Sequence, residues 1–281
     1  MKKILLTGGS GFVGKNILPI LRECFDVDTP NRHELNLLDY NDVFLWLNNN
    51  KYDAVIHSAN PNPVKNSKYD KQENMMEDSL RMFMNFYNCR NMYGKMIFLG
   101  SGAEYDKSSN ICSVKEEQIN IRIPYEQYGL AKLYMNELAR KSENIYNFRL
   151  FGCYGPYDHE SKFITHVINN CIDKEDITIR QDCWFDYIQV TDVGKLLCYA
   201  IENELKYYDY NICSGERILL STIAEKVRKQ MNSDSKIVIL NSGFNKEYTG
   251  DNTRIVEETG YKFMNLDEGI KIQIEHERSK R

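Results

Sequence analysis

The first fourteen residues constrain the fold of this chain more than any other stretch. A short apolar run, Ile4 to Leu6, leads directly into a cluster of four glycines. After the cluster, Ile17, Leu18 and Leu21 recur at the spacing of one helix face. The pattern predicts a buried strand, a tight turn and a helix, which is the opening of a βαβ unit.

The glycines fit two closely related patterns, Gly9-x-Gly11-x-x-Gly14 and, after Thr7, Gly8-x-x-Gly11-x-x-Gly14. Glycine allows the tight turn, lets the backbone approach a pyrophosphate and lets the helix pack closely on the strand. The anion then lies at the positive N-terminal end of that helix. We therefore expect a nicotinamide dinucleotide to be held here, by Thr7, Gly8, Ser10, Gly11, Phe12, Val13 and Gly14.

Two further segments bear on the choice of coenzyme. A short strand is predicted at residues 26–30, and an acidic residue near the end of this strand binds the adenosine ribose of NAD, whereas a nearby arginine accepts the extra phosphate of NADP. Arg32 is better placed beyond the strand end than Asp28, so we expect NADP(H), with NAD(H) less favoured. Asp39 can either reach the adenine amine or cap the next helix. Ser58 and Ala59 follow a third strand, where small side chains let the backbone pass under a cofactor.

Three residues carry the predicted chemistry. Ser101 ends the apolar strand 95–101, and residues at the carboxyl end of a parallel strand face the ligand crevice. Tyr128 and Lys132 lie on one face of a helix predicted over 125–142, and no other of the nineteen tyrosines has a lysine four residues later. A lysine ammonium lowers the pKa of a tyrosine by favouring the phenolate. Ser101 would hold a substrate oxygen, Tyr128 would protonate it as general acid and Lys132 would anchor the nicotinamide ribose.

Composition excludes several classes of function. At 281 residues the chain can bury one large core with a smaller lobe. No apolar run approaches the roughly 18 residues of a membrane span, and the first residues do not read as a signal peptide, so we expect a cytoplasmic protein without membrane partners. A net charge of -4 without a basic run argues against nucleic acid. The eight cysteines are scattered singly, which indicates reduced thiols rather than disulfides or a metal site.

The rest of the chain suggests a division into two lobes. We predict a loop at 61–69, a long helix at 73–93, and a strand at 185–193 with Asp192 capping the helix that follows. Residues 1–155, with 185–212 returning to them, would form the cofactor domain. Residues 156–184 and 213–281 would form the second lobe. The helices at 73–93 and 125–142 could pair with their copies in a homodimer.

The motifs taken together resemble one family. The glycine pattern, Ser101, Tyr128-x-x-x-Lys132, Tyr154-Gly155-Pro156 and the 186–193 run resemble the extended short-chain dehydrogenase/reductases, in the nucleotide-sugar epimerase, dehydratase and ketoreductase branch. The run from Arg32 to Asp39 is similar to a pattern of the NADP-dependent GDP-fucose synthases, with one residue fewer between the arginine and the glutamate. The resemblance implies an α/β Rossmann-type doubly wound parallel sheet and a C-terminal lobe that grips a nucleotide sugar. Under it the substrate would be bound by Ser101, Gly102, Glu104, Lys162, Arg180 and Trp184.

The departures from the family pattern narrow the expected reaction. Gly102-Ala103 stands where the dehydratases carry an Asp-Glu pair, and Ala103 stands where GDP-fucose synthases carry a cysteine for epimerisation. Gly152 and Phe185 replace the asparagine and arginine usual near the diphosphate. We therefore expect an NAD(P)H-dependent ketoreductase acting on an NDP-4-keto-hexose, or another NDP-linked ketose such as CDP-linked fructose, in capsular polysaccharide or deoxy-sugar synthesis. The alternatives are a nucleotide-sugar 4-epimerase with tightly bound NAD and a non-catalytic NADP-sensing regulator.

Overall fold

The computed structural model describes residues 1–61 and 72–281, so that only the first residue of the loop expected at 61–69 lies within it. The strands, in chain order, are β1 (Lys3–Thr7), β2 (Asp26–Asp28), β3 (Tyr52–His57), β4 (Tyr93–Ser101), β5 (Ile111–Val114), β6 (Ile145–Leu150), β7 (Gly152–Tyr154), β8 (Ile177–Asp182), β9 (Trp184–Phe185), β10 (Tyr187–Gln189), β11 (Asp209–Ile212), β12 (Ile218–Leu219), β13 (Ile237–Phe244) and β14 (Tyr248–Gly250). The α-helices are α1 (Phe12–Cys24), α2 (Tyr40–Asn49), α3 (Met75–Asn88), α4 (Gln127–Ala139), α5 (Phe163–Asp173), α6 (Val190–Glu202), α7 (Leu220–Met231), α8 (Thr253–Thr259) and α9 (Leu266–Ser279).

Six parallel strands form the central sheet, in the order β11-β6-β4-β3-β1-β2. The chain runs outward from β1 in both directions, first to β2 and then through β3 and β4. This reversal between β1 and β3 is the switch point of a doubly wound sheet, where ligands bind beyond the carboxyl ends of the strands. The predicted fold class is therefore confirmed, and Thr7, Ser58 and Ser101 end up at one edge of the sheet.

Helices cover both faces of the central sheet, which explains why β1, β3 and β4 are mostly apolar. On one face α1 and α6 pack over β1 through residues such as Leu21 and Val193. On the other face α2, α3 and α4 pack through residues such as Val43, Phe86 and Met135. Since α4 lies on this second face, its N-terminal turn reaches the carboxyl edge of β4, where Ser101 lies.

The remaining elements pack beside the central sheet. α5, α7 and α9 enclose a separate apolar cluster against β8. A second sheet has the order β12-β9-β14-β5. Residues 111–114 lie in the predicted cofactor domain, yet they pair with β14 from the C-terminal part of the chain. The division into two lobes stays a prediction, and β5 is a point at which the two halves are joined.

Some predicted boundaries differ from those observed. α3 ends at Asn88 rather than near residue 93, because a 3-10 turn at Arg90–Met92 leads straight into β4. The expected cap at Asp192 is wrong. α6 begins two residues earlier, where the Gln189 side chain accepts from the N–H of Thr191. Asp192 instead accepts from the hydroxyl of Tyr261 at 2.7 Å and so ties α6 to the C-terminal segment.

Within residues 1–61 and 72–281, no helix is both long and apolar enough to cross a membrane. The same residues contain no group of three or more His, Cys, Asp or Glu side chains placed to hold a metal ion. All eight cysteines are free thiols.

Candidate active site

The turn between β1 and α1 has the geometry that only glycine permits. Gly8 has a φ of +73°, in the left-handed region. A Cβ on Gly14 would lie 2.2 Å from the carbonyl oxygen of Gly8, so the helix could not pack against the turn with any larger residue. Gly11 is the N-cap of α1 and makes no side-chain cap. The reading Gly8-x-x-Gly11-x-x-Gly14 therefore describes the turn, and it leaves the N-terminal end of α1 open to an anion.

A cleft of about 850 Å³ extends from this turn towards Tyr128 and Lys162. Most of the expected cofactor residues line it, namely Thr7, Gly8, Ser10, Gly11, Phe12, Val13, Arg32, Ser58, Ala59 and Tyr128. Residues that the sequence reasoning missed also line it, among them Asn60, Met82, Tyr157, Asp158 and His159. The open helix end, the glycine turn and the size of the cleft fit a nicotinamide dinucleotide.

Asp39 was expected either to bind adenine or to cap a helix, and the structure shows the cap. Its carboxylate accepts from the backbone N–H groups of Asn41 at 2.8 Å and Asp42 at 3.2 Å, at the start of α2. Asp39 does not appear among the residues that line the cleft, whereas its neighbours Leu37 and Leu38 do. Adenine recognition by Asp39 would therefore require the cap to be given up.

Ser101 and Tyr128 are brought together by the packing of α4 against the turn after β4. The Ser101 hydroxyl accepts from the N–H of Ala103 at 3.1 Å, and the Ser101 side chain is near enough to Tyr128 to lower the pKa of its phenol against the effect of burial. A Cβ on Gly129 would lie 2.2 Å from the carbonyl oxygen of Ala103. Gly129, which the sequence reasoning did not single out, therefore lets α4 approach the turn that carries Ser101.

Lys132 lies one helical turn after Tyr128 and is only 3% exposed. Its ammonium donates to the carbonyl oxygen of Leu99 at 2.9 Å and lies 6.0 Å from the centre of the Tyr128 ring. Burial lowers the pKa of Lys132 to about 8, although the Glu104 carboxylate works in the opposite direction. The lysine is therefore charged at neutral pH and becomes neutral under mildly alkaline conditions.

The expected effect of Lys132 on the pKa of Tyr128 is not observed. Burial raises the pKa of Tyr128, and the Ser101 side chain offsets only part of this rise. The ammonium is directed at Leu99 instead of at the phenol oxygen. Tyr128 is consequently protonated at neutral pH, which is the state required of a general acid.

These pKa directions predict the alkaline limb of the pH profile. As pH rises through about 8, Lys132 loses its charge, while Tyr128, whose pKa lies above its ordinary value, keeps its proton. We expect kcat/KM for reduction to fall above pH 8, because a neutral lysine anchors the ribose less well. Steady-state rates between pH 6 and 10 test this. A profile that stays flat as the pH passes through 8 would contradict a role for the charge on Lys132.

Glu104 was expected to touch substrate, and the structure contradicts this. Its side chain is fully buried and forms an ion pair of 2.8 Å with Arg149. It also accepts from the backbone N–H of Ser101 at 3.0 Å and from the amide of Asn147. Arg149, itself fully buried, reaches Asp209 at 3.0 Å. Glu104 therefore supports Ser101 from inside the protein. The signal that could have found this network was the single arginine in the otherwise uncharged strand β6.

The other expected substrate residues are distributed unevenly. Lys162 lines the cleft. Gly102 is buried, and the Tyr248 side chain lies against it. Arg180 is exposed on β8, and neither it nor Trp184 is among the residues that line the cleft. The Trp184 ring lies against the guanidinium of Arg217, whose carbon is 3.9 Å from the ring centre. Substrate contact by Arg180 and Trp184 stays a prediction.

Comparison with known proteins agrees with this geometry. Residues 4–213 match the model of the NAD dependent epimerase/dehydratase family. The chain belongs to this family. The resemblance found in the sequence is thereby confirmed, and the chain is an NAD(P)-dependent oxidoreductase by family.

Individual relatives are distant but similar over their whole length. GDP-L-colitose synthase of Yersinia pseudotuberculosis is 24% identical over 295 residues, which covers 95% of each chain. The solved GDP-L-fucose synthetase of Naegleria fowleri bound to NADP has a TM-score of 0.86 at 15% identity, over 99% of this chain and 93% of that one. The GDP-mannoheptose C4 reductase of Campylobacter jejuni with NADP bound has a TM-score of 0.83 at 19% identity, over 99% and 98%. At these identities the structural similarity shows the fold alone.

Proposed function

We propose that this member of the epimerase/dehydratase family is an NADPH-dependent ketoreductase acting on a nucleotide-activated keto-sugar. The observation that carries the proposal is the state of Tyr128. Burial keeps its hydroxyl protonated, it lies beside Ser101, and it is at the end of a cleft that begins at the glycine turn. A protonated acid beside a hydroxyl donor is suited to protonating a ketone oxygen as hydride reaches the carbonyl carbon. The reverse reaction, oxidation of an alcohol, would need a base in this position.

Each residue then has a separate part in the reduction. The bound coenzyme supplies the hydride. Ser101 donates a hydrogen bond to the ketone oxygen and so holds it near Tyr128. Tyr128 transfers its proton to the same oxygen as negative charge develops there. Lys132, charged at pH 7, holds the ribose.

The surroundings of Ser101 favour reduction alone. Dehydration and epimerisation beside a carbonyl both require a base that removes a proton from carbon. Position 103 offers only the buried methyl group of Ala103. The carboxylate of Glu104 is next in the chain, but Arg149, Asn147 and the Ser101 N–H occupy its oxygens. A simple ketoreductase needs no such base.

The surroundings of Asp28 and Arg32, the two candidate residues near β2, favour NADPH over NADH. Asp28 accepts from the Tyr52 hydroxyl at 2.8 Å and forms an ion pair of 3.0 Å with Lys3. Although burial works against this, these hydrogen bonds hold the pKa of Asp28 below its usual value. Arg32 lines the cleft beyond the end of β2. The carboxylate that would bind a ribose is thus engaged elsewhere, and Arg32 is the cation that we propose for the 2'-phosphate.

We expect Arg32→Ala to change coenzyme preference. A charge-assisted contact with phosphate contributes about 1.5–3 kcal/mol, so KM for NADPH should rise about ten- to hundredfold while KM for NADH stays within about twofold. Steady-state kinetics with both coenzymes measure this. Arg81→Ala serves as the control, because Arg81 is exposed and pairs with Glu77 on the surface of α3. Equal effects on both coenzymes would contradict a phosphate contact.

The substrate class rests on Lys162, which lines the far end of the cleft, and on the relatives. A lysine at this position suits a diphosphate. The similar proteins are named for nucleotide-linked sugars, among them GDP-, CDP- and dTDP-linked ones. We place this enzyme in surface polysaccharide or deoxy-sugar synthesis, and a homodimer remains our prediction.

The test is the loss of NADPH or NADH absorbance when the protein meets nucleotide-linked keto-sugars carrying CDP, GDP, dTDP and UDP. One coenzyme consumed per sugar reduced supports the proposal and identifies coenzyme and nucleotide together. Isomerised sugar without coenzyme consumption would establish the 4-epimerase with bound NAD instead. Coenzyme binding with no conversion of any sugar would favour the third hypothesis, a non-catalytic NADP-sensing regulator.

A further inference from the structure

We infer that Tyr248 is a positioning residue for the reaction and acts through Ser101. The inference rests on the proposed function, since it concerns the donor that holds the ketone oxygen. Tyr248 lies in the C-terminal part of the chain, far in sequence from Ser101, Tyr128 and Lys132. No motif in the sequence pointed to it.

The backbone of Tyr248 is fixed on both sides. β14 lies between β9 and β5 in the second sheet, and Tyr248 is paired with Phe185 on one side and Ile111 on the other. Its carbonyl oxygen accepts from the N–H of Asp186 at 3.1 Å. Its side chain therefore starts from a defined position.

The ring is equally constrained. Its centre lies 5.2 Å from that of Phe151 and 5.0 Å from that of Phe185, so aromatic rings hold it on two sides. The Lys107 ammonium lies 5.5 Å from the ring centre. A tyrosine whose only task was to fill space here would not need its hydroxyl.

The hydroxyl of Tyr248 is directed at the turn that carries Ser101. A Cβ on Gly102 would lie 2.4 Å from this oxygen, so the absence of a side chain at Gly102 provides the space it occupies. The Ser101 side chain works against the burial that raises the pKa of the Tyr248 phenol, so the two hydroxyls are neighbours. Two tyrosine hydroxyls, from Tyr128 and Tyr248, thus meet at one serine.

The hydrogen-bonding capacity of the Ser101 hydroxyl limits the directions in which its proton can point. A hydroxyl has one proton to donate and two lone pairs that accept. The N–H of Ala103 occupies one lone pair of Ser101 at 3.1 Å. If Tyr248 donates to the second, the single proton of Ser101 can point only towards Tyr128 or towards a ketone oxygen bound beside it. Tyr248 therefore sets the direction in which Ser101 donates.

Tyr248→Phe removes this donor and keeps the ring. We expect kcat to fall about tenfold, the equivalent of one hydrogen bond, with KM for NADPH unchanged. The decisive measurement repeats the substitution in a Ser101→Ala background, where it should change kcat by less than about twofold because its partner is gone. Tyr207→Phe, on an exposed tyrosine, is the matched control and should behave like the unmodified protein.

Gly102→Ala provides an independent route to the same result. The added methyl group must displace the Tyr248 hydroxyl, so we expect a loss of kcat similar to that of Tyr248→Phe, with coenzyme binding retained. If Tyr248→Phe fails to fold, as judged by thermal melting, Gly102→Ala decides alone: the same loss supports the inference, and unchanged kcat overturns it.

The remaining outcomes separate the inference from the proposed function. An unaltered kcat for Tyr248→Phe overturns the inference, and so does an equal loss with and without Ser101. Absence of turnover by the unmodified protein on every keto-sugar overturns the proposed function first, and the inference with it. Turnover by the unmodified protein together with a silent Tyr248→Phe overturns the inference alone.

Discussion

Tyr128→Phe is expected to lower kcat by about 10²- to 10⁴-fold, the range by which a positioned general acid accelerates a reaction. The substitution removes one oxygen and leaves the ring in place on α4. Without this phenol, the other tyrosine beside Ser101 is Tyr248, whose hydroxyl lies against Gly102 and is not among the groups that line the cleft. Hydride transfer would then have to generate an alkoxide with only the Ser101 hydroxyl to stabilise it.

The measurement is single-turnover oxidation of NADPH by the substrate found in the panel, with NADPH affinity determined separately by fluorescence. Affinity should stay within about twofold, because Tyr128 contributes one of many contacts along the cleft. The exposed Tyr207→Phe again controls for loss of a tyrosine hydroxyl as such. Retention of full activity by Tyr128→Phe would show that the proton comes from elsewhere, and the catalytic assignment would be wrong.

Arg149→Met is expected to give the largest loss of stability among the substitutions considered. Arg149 is fully buried and neutralises both Glu104 and Asp209. Removing one partner of a buried ion pair leaves an uncompensated charge in a region of low dielectric constant, which costs about 3–5 kcal/mol. Burial already raises the pKa of Glu104 with the arginine present. Keeping the carboxylate charged without the arginine would therefore cost more free energy.

Urea unfolding followed by circular dichroism measures the free energy of unfolding of this variant. Arg81→Met is the matched control, since the Arg81–Glu77 pair is exposed and such pairs contribute about 0–1 kcal/mol. The double variant Arg149→Met with Glu104→Gln should recover part of the loss, because one stranded charge is removed. A loss below about 1 kcal/mol for Arg149→Met would mean that the network contributes little to stability.

The sequence predicted the structure best where the residues of a motif lie close together in the chain. The spacing of Gly8, Gly11 and Gly14 fixes a turn within seven residues, and the four-residue spacing of Tyr128 and Lys132 follows from the pitch of one helix. The edge at which Ser101 lies follows from the parallel order of the strands. In each case the chain itself links the residues concerned, so the prediction needed no knowledge of distant contacts.

The predictions that failed depended on contacts between distant segments. Glu104 directly follows Ala103 in the catalytic turn, and a sequence cannot show that Arg149 from β6 holds its carboxylate inside the protein. The pKa of Tyr128 was expected to be lowered by a lysine one turn away, but burial and the Leu99 carbonyl oxygen determine the outcome. Burial and the direction of a long side chain are properties of the packed molecule.

By itself, then, the sequence determined the glycine turn and the closeness of Tyr128 and Lys132, because short-range geometry encodes them, and its motifs pointed to the doubly wound fold. The catalytic roles of Ser101, Tyr128 and Lys132 remain proposals. Only the tertiary structure decided that Arg149 holds the Glu104 carboxylate inside the protein and that the Tyr248 hydroxyl lies against Gly102. The physical reason is that both contacts join segments far apart in the chain. Their energies depend on desolvation and on hydrogen-bond direction, which arise only when those segments have packed together.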